Sequence, residues 1–122
     1  MTSSPPMPRR PSPRQGEIWI IDLNSARGYE TRGQRTALVI SVNELNHGPA
    51  GISMVLPIST SDRRIATHVK MAVGEAGQTE EGFVKCEELR SVSIERFATR
   101  VGAVRAETFT TVMRNVSVLL GL

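Results

Sequence analysis

The sequence predicts a small protein of mainly β structure, in which an antiparallel sheet curls into a partial barrel and is capped by one C-terminal helix. Six short apolar runs are separated by polar connections that contain glycine, as is typical of short strands joined by loops. The final segment changes to a helical period. A chain of 122 residues is long enough for one domain with its own core and too short for two of ordinary size. The predicted strands are residues 17–23, 37–42, 52–58, 68–73, 82–86 and 100–104.

The C-terminal segment has the pattern of an amphipathic helix over residues 107–120. Apolar residues recur there at steps of three and four, which places them on one face of a helix. Glu107 in the first turn and Gly121 just after the last turn fit the polarity and the termination of such a helix. The predicted apolar stripe consists of Phe109, Val112, Met113, Val116, Leu119 and Leu120.

Residues 1–14 are predicted to be a disordered tail, so the folded domain is expected to span residues 15–122. The tail is rich in Pro, Ser and Arg, contains no acid and lacks the apolar block of a secretory signal. Arg9, Arg10 and Arg14 account for the net charge of +3, because their removal leaves 15 − 3 = 12 basic residues against 12 acidic ones. The basic isoelectric point therefore says little about what the domain binds.

The composition argues against several kinds of protein and site. No apolar run approaches the roughly 20 residues that span a bilayer, so no membrane association is expected. Cys86 is the only cysteine, which fits a reducing cytoplasm, and its apolar surroundings favour a buried thiol over a nucleophile. His47 and His68 are not spaced with other metal-ligating residues, so neither a metal site nor a cofactor is predicted.

A charged loop bounded by glycines lies between the first two predicted strands. It contains an aromatic residue, an acid and arginines, among them Tyr29, Glu30 and Arg32, and it leads into Arg35 at the start of the next apolar run. A polar loop held at both ends by apolar strands presents reactive groups on a rigid edge. This combination suits the binding of a polyanion and is compatible with its cleavage.

Five motifs lie in order between about residue 15 and the C-terminus. They are Gly16-Glu17-Ile18-Trp19 with Asp22-Leu23-Asn24, Arg27-Gly28-Tyr29-Glu30, Arg35-Thr36-Ala37-Leu38-Val39-Ile40-Ser41, Leu56-Pro57-Ile58-Ser59-Thr60 and Glu87-Glu88-Leu89-Arg90-Ser91. Together they resemble the MazF/PemK family of toxins from type II toxin–antitoxin systems. Each motif alone would be weak, but the ordered set is specific. The resemblance implies an SH3-like small β-barrel of the CcdB/PemK type with a C-terminal helix.

The same resemblance implies an activity and partners. Family members are sequence-specific endoribonucleases, or mRNA interferases, that cleave single-stranded mRNA without a metal and thereby inhibit translation and growth. They act as homodimers and are held inactive by a cognate antitoxin. A second copy of this chain, a MazE-like antitoxin and single-stranded RNA are therefore the implied partners, and the cytoplasm is the implied location.

Metal-independent cleavage of RNA needs a base for the 2′-hydroxyl proton, a cation for the charge that develops on the phosphate, and a donor near the leaving oxygen. The planar guanidinium of Arg35 suits the cationic role. Glu30 is the closest acid in the same loop and is a candidate base. In the family, the residues at the positions of Arg35 and Ser59 form the catalytic pair, and a loop glutamate sometimes contributes. The implied products carry a 2′,3′-cyclic phosphate and a 5′-hydroxyl.

Three positions depart from the family pattern. Ser59 stands where the family has threonine, so the hydroxyl is kept but the methyl group that restricts the first side-chain torsion is lost. Thr36 replaces the proline that usually follows the arginine, which removes a backbone restraint on Arg35. Glu88 stands where glutamine is common and adds negative charge near Arg90.

The candidate RNA-binding residues lie mainly in two loops, residues 24–34 and 59–66. Tyr29 is a candidate either to stack on a base or only to cover the loop, and Arg63 and Arg64 are expected to follow the RNA backbone. The full set is Arg27, Tyr29, Arg32, Gln34, Thr60, Arg63, Arg64 and Arg90. We expect both loops to face one groove.

Simpler interpretations and two rival functions remain open at this point. Arg35 can pair with Glu30 as an ordinary surface ion pair, and Ser59 can be a turn former. One rival function is a CcdB-like toxin, which shares the barrel but poisons DNA gyrase through a C-terminal Trp-Gly-Ile. This chain ends Leu-Leu-Gly-Leu, which counts against that function. The other rival is a noncatalytic barrel that binds RNA or a protein.

Overall fold

The structure, a computed structural model, describes residues 10–22 and 34–122. Within these residues it contains seven β-strands and two α-helices. The strands are β1 (Glu17–Asp22), β2 (Gln34–Val39), β3 (Ile52–Ser59), β4 (His68–Met71), β5 (Gly82–Lys85), β6 (Arg90–Ser93) and β7 (Phe97–Ala103). The helices are α1 (Asn43–Asn46) and α2 (Ala106–Leu120), and short 3₁₀ turns occupy Glu75–Gly77, Cys86–Glu88 and Ile94–Arg96.

The strands form one antiparallel sheet in the order β4-β5-β3-β2-β1-β7, and β6 joins β3 outside this path. β3 is the central strand, because β2 pairs with one of its edges while β6 and β5 pair in succession with the other. Among the described strands no pairing closes the ends of the sheet, so it is barrel-like but open. The predicted mainly β architecture with one C-terminal helix is confirmed.

The strand boundaries differ from the predicted ones in several strands: β2 spans Gln34–Val39 rather than residues 37–42, and β4 ends at Met71 rather than at residue 73. The sequence does not predict β6, since Val92 is the one buried residue among its four. Pairing with residues 52–55 of β3 forms this strand instead. β7 begins at Phe97 rather than at residue 100 because Phe97 and Thr99 pair with Ile21 and Ile20 of β1.

Alternating residues along the strands build a separate core on each face of the sheet. On one face, the fully buried side chains of Ile18, Leu38 and Leu56 pack with Val112 and Val116 of α2. The adjacent residues of the same strands point to the opposite face. There they form a second cluster of Trp19, Ile21, Ala37, Val39, Val55, Val92, Ile94 and Phe97. This second cluster underlies the candidate site described below.

The predicted C-terminal helix is confirmed as α2, and its apolar stripe is buried only in part. Val112 and Val116 are buried, whereas Leu119 and Leu120 are 44% and 57% exposed. The helix packs on the Cys86–Glu88 turn and on β4. Gly121 ends the helix as predicted, with a φ of 74°. None of the helices in the described ranges is long and apolar enough to cross a membrane.

The carboxylate of Glu17 ties β1 to β7 and to the segment before β1. Its Oε1 accepts hydrogen bonds from the Trp19 indole at 2.9 Å and from the backbone N–H of Arg14 at 2.7 Å, while its Oε2 accepts from Nε of Arg100 at 2.5 Å. Burial raises the pKa of Glu17, but the hydrogen bonds from Trp19, Arg100 and Arg14 outweigh burial and hold the pKa below its ordinary value of 4.5.

We expect Glu17→Gln to lower the free energy of unfolding at pH 7 by about 2 kcal/mol, because charge-assisted hydrogen bonds are lost at a buried site. The folded-state pKa is depressed, so this contribution is present above pH 4.5 and is lost as the pH falls through the lower folded-state value. Urea denaturation at pH 7 and pH 3 measures both effects. The difference between wild type and variant should shrink at pH 3, and Glu80→Gln, at an exposed loop position, is the control. A difference that is the same at both pH values would contradict this account.

The last residues of the predicted tail lie against the domain, whereas residues 1–9 are outside the described part of the chain. Pro13 is fully buried, and its carbonyl oxygen accepts a hydrogen bond from Nε2 of His47 at 2.9 Å. The backbone N–H of Gln15 donates to Oδ1 of Asn43 at 2.8 Å. Packing therefore begins at Pro13, two residues before the predicted start of the domain.

Candidate active site

The second core face of the sheet carries a cleft with a volume of about 670 Å³. Apolar side chains of the second cluster, among them Ile21, Val55 and Val92, form its floor. Polar and charged side chains surround this floor: Arg35, Thr36, Ser59, Thr60, Ser61, Arg63, Lys85, Glu88 and Arg90. An apolar floor with converging polar groups is the usual form of a ligand site, and here it can receive both the bases and the phosphates of a nucleic acid.

The strand register brings Arg35 and Ser59 together. In the pairing of β2 with β3, Ala37 lies opposite Pro57. Arg35 lies two residues before Ala37 and Ser59 lies two residues after Pro57, so the period of two in a strand directs both side chains to the face of that pair. Both line the cleft. The expectation that the loops of residues 24–34 and 59–66 face one groove depends on residues outside the described ranges and stays a prediction.

Arg35 is exposed and accessible in the cleft. Within residues 10–22 and 34–122 its guanidinium forms no ion pair. A surface pair with Glu30 lies outside the described residues. A guanidinium that is charged at all working pH values can therefore offer its hydrogen-bond donors to a bound phosphate.

Ser59 ends β3 and has a turn-forming contact as well as a place in the cleft. Its Oγ accepts a hydrogen bond from the backbone N–H of Ser61 at 3.0 Å. This contact matches the turn-forming interpretation of Ser59. It occupies one lone pair and leaves the hydroxyl proton free to donate, so the two roles are compatible.

The structure brings together some of the predicted RNA-binding residues. Thr60, Arg63 and Arg90 line the cleft with the two residues of the candidate catalytic pair. Arg64 is not among the lining residues; its φ is 53°, and its backbone N–H donates to Oδ1 of Asp62 at 2.8 Å. The backbone of Gln34 lies in β2, and its side chain is outside what the structure describes. The remaining candidates, Arg27, Tyr29, Glu30 and Arg32, also lie outside the described residues.

Sequence reasoning missed Lys85 as a residue of the cleft. It lies at the end of β5, whose Phe83 pairs with Ser59 of β3. Its ammonium group is 3.4 Å from Oε2 of Glu88, three residues further along the chain. The pairing of β5 with β3, which places Lys85 here, connects segments that are distant in sequence and has no local signature.

The charge of the described cleft lining is positive. Four cations, Arg35, Arg63, Lys85 and Arg90, face one acid, Glu88. Such a surface attracts a polyanion through its phosphates.

Glu87 fixes the 3₁₀ turn that carries Glu88. Its Oε1 accepts a hydrogen bond from the Thr67 hydroxyl at 2.7 Å, and its Oε2 lies 2.8 Å from Nε2 of His68, whose side chain is 5% exposed. Burial raises the pKa of Glu87, but hydrogen bonds from Thr67, from a backbone N–H and from His68 outweigh burial and lower the pKa below its ordinary value. The turn is thus held against the start of β4.

The thiol of Cys86, in the same turn, is 2% exposed, which confirms the prediction of a buried cysteine. Burial raises its pKa to about 11. We expect iodoacetamide at pH 8 to label Cys86 at least about 100-fold more slowly in the native protein than in urea, because both the thiolate fraction and access are reduced. Labelling followed by mass spectrometry measures both rates. Equal rates would show that the thiol is not buried.

Comparison with known proteins places these features in a family. A family model described as PemK-like, MazF-like toxin of type II toxin-antitoxin system matches residues 14–120. Endoribonuclease MazF9 of Mycobacterium tuberculosis is 31% identical over 98 residues, which cover 76% of this chain and 83% of the relative. Endoribonuclease toxin MazF of Escherichia coli K12 is 26% identical over 110 residues, which cover 89% and 95%.

Solved structures show the same fold. MazF from Deinococcus radiodurans, at 23% identity, superposes with a TM-score of 0.73 over 91% of this chain and 98% of the other. A MazE–MazF crystal structure from the same organism gives a TM-score of 0.79 at 21% identity, over 91% and 97%. The predicted PemK-type, barrel-like fold and the predicted family are both confirmed. The chain belongs to the PemK-like, MazF-like family of toxins of type II toxin–antitoxin systems.

Proposed function

We propose that this toxin is an endoribonuclease that cleaves single-stranded mRNA in the cleft between β2, β3 and β5, and that this cleavage stops translation and growth. The observation that carries the proposal is the placement of Arg35 and Ser59, on neighbouring strands, in one cleft lined by further cations. The relatives named above as endoribonucleases support it. Its action on mRNA implies the cytoplasm as its location.

The proposed reaction uses the 2′-hydroxyl of the RNA as the nucleophile. This oxygen attacks the adjacent phosphorus, the bond to the 5′-oxygen breaks, and the leaving 5′-oxygen takes up a proton from water. The products carry a 2′,3′-cyclic phosphate and a 5′-hydroxyl. Arg35 binds the phosphate oxygens and stabilises the charge that develops on them, and the Ser59 hydroxyl donates a hydrogen bond to the same group. Glu30 is the proposed base for the 2′-hydroxyl proton.

This chemistry assigns no step to a metal ion. The nucleophile belongs to the substrate, so no metal-bound water is needed to supply one. The guanidinium of Arg35 provides the positive charge that a metal would otherwise bring to the phosphate. We therefore propose that cleavage is metal-independent.

We also propose that the toxin acts as a homodimer and is bound by a MazE-like antitoxin. The MazE–MazF crystal structures among its structural relatives support an antitoxin partner. The exposed apolar side chains at the end of α2, including Val118 and Leu120, offer a surface that a second copy would cover. Light scattering of the purified protein measures its mass, and a monomer at micromolar concentration would contradict the dimer.

The function is tested by incubating the purified protein with a long unstructured RNA in EDTA and mapping the new 5′ ends. We expect discrete cuts at a short recurring sequence, with ends that can be ligated only after a kinase adds a 5′-phosphate. The matched control is an oligonucleotide with one 2′-deoxynucleotide on the 5′ side of the cut. It should resist cleavage because the nucleophile is missing.

Two results would contradict the proposal. Cleavage of the deoxy-substituted substrate would show that the 2′-hydroxyl is not the nucleophile. Absence of cleavage by well-folded protein, together with binding of the RNA, would support the noncatalytic barrel instead.

A further inference from the structure

A carboxylate such as that of Glu88 is not expected in a surface that binds only phosphates. Among the described residues of the cleft lining it is the one carboxylate beside four cations, and an acid there repels the RNA backbone. Its contact with Lys85 does not explain its presence. The distance is 3.4 Å and the Glu88 side chain is 50% exposed, so the pair contributes little to the stability of the fold.

The main chain of Glu88 is held in a fixed place. Cys86, two residues before it, is buried in the core. Glu87, its direct neighbour, is held by Thr67 and His68 at 2.7 and 2.8 Å. A side chain that projects into a cleft from a rigid turn is suited to recognise the edge of a base, because such recognition requires accurate placement.

We infer that Glu88 selects a guanine base in the RNA, an inference that rests on the proposed function. An ionised carboxylate can only accept hydrogen bonds. Guanine is the standard base whose Watson–Crick edge presents two adjacent donors, N1–H and the N2 amino group, and single-stranded RNA exposes that edge. Lys85 lies beside Oε2 of Glu88, and this oxygen keeps a second lone pair that can accept a hydrogen bond from the base. The apolar floor of the cleft supplies a surface against which the base can pack.

The other bases match this carboxylate less well. Uracil presents one donor between two carbonyl oxygens, which the carboxylate repels. Adenine and cytosine each offer one amino group next to a ring-nitrogen acceptor. With any base other than guanine, the Glu88 carboxylate loses one of the two hydrogen bonds and faces an acceptor atom of the base that repels it. The carboxylate therefore favours guanine over the other bases.

The test compares cleavage of short RNA substrates by wild type, Glu88→Gln and Glu81→Gln. The substrates carry the mapped cut site with guanosine, inosine or adenosine at each guanosine position. Inosine lacks only the N2 amino group, so it removes one of the two proposed hydrogen bonds. Glu81 is the matched control: it pairs with Lys70 at 3.0 Å between β5 and β4 and does not line the cleft.

We expect inosine at one position to lower kcat/KM of the wild type and of Glu81→Gln roughly tenfold. We expect Glu88→Gln to remain active but to lose most of this discrimination, since an amide presents one donor and one acceptor. Circular dichroism and thermal unfolding establish that each variant is folded. Lys85→Gln should keep the preference for guanosine, because the proposed recognition belongs to the carboxylate.

Several outcomes would overturn the inference. If wild type cleaves but shows no dependence on guanosine, or if Glu88→Gln keeps the full ratio of guanosine to inosine, the inference fails while the proposed function stands. A rate change in Glu88→Gln that is uniform over all substrates would show that Glu88 acts through charge alone. No cleavage by the wild type would overturn both.

Discussion

Replacing Arg35 by alanine is expected to lower kcat/KM for RNA cleavage by roughly 10³-fold. The guanidinium lies in the cleft and is exposed, and within the described residues no carboxylate pairs with it. Its donors are therefore available for the phosphate, where charge develops in the transition state. The effect should appear mainly in kcat, because the other cations of the cleft still hold the RNA backbone.

The matched control is Arg114→Ala, which removes an exposed arginine from α2 outside the cleft lining. It should cleave RNA at the wild-type rate. Arg35→Lys keeps the charge but not the planar fork, and we expect it to recover only part of the activity. Single-turnover rates and thermal unfolding curves separate a catalytic defect from a folding defect. An Arg35→Ala protein that is folded and fully active would remove Arg35 from the mechanism.

Much of the fold follows from local sequence patterns. The apolar runs of β1 and β3 and the helical spacing of Val112 and Val116 predict elements that the structure contains. The errors occur where local pattern and long-range packing differ. β6 has one buried residue and is a strand because β3 pairs with it. Leu119 and Leu120 continue the apolar period of α2, but the period alone does not determine that they are exposed.

The candidate site was predictable only in part, because local motifs mark some of its residues and long-range strand pairing places the others. Arg35 and Ser59 stand out because they lie in recognisable motifs, and the pairing of β2 with β3 then brings both into one cleft. Lys85 has no such motif. It joins the cleft because β5 pairs with the C-terminal end of β3, whereas β6 pairs with the N-terminal part of the same edge. A sheet in which one strand has two successive partners cannot be read from the period of any single segment.

The position of the cleft follows from the presence of an apolar cluster on each face of the sheet. One face is covered by α2, whereas the other face carries the second apolar cluster. At one end of that face the side chains change from apolar to charged, for example from Ala37 to Arg35 along β2 and from Val92 to Arg90 along β6. The strands therefore supply both a rigid floor and the charged rim, which is the arrangement that accurate placement of a phosphate requires.

The second large effect is expected at Ser59, where alanine should lower kcat/KM by roughly 10²-fold, the loss typical of one hydrogen-bond donor to a developing charge. The structural cost should be small, because the Ser61 N–H that loses its acceptor is exposed and can bind water. Ser59→Thr keeps the hydroxyl and adds a methyl group that restricts the first torsion, so its activity should equal or exceed that of the wild type.

Ser59→Val is the critical control for this argument, since valine has the shape of threonine without the hydroxyl. If the hydroxyl donates to the phosphate, the valine variant should be as inactive as the alanine variant, while the threonine variant is active. If Ser59 only forms the turn through its contact with Ser61, the alanine and valine variants should lose thermal stability and keep their cleavage rate. Single-turnover rates measured beside unfolding curves for the three variants distinguish these roles, because a donor to the reacting phosphate changes the rate without changing the fold.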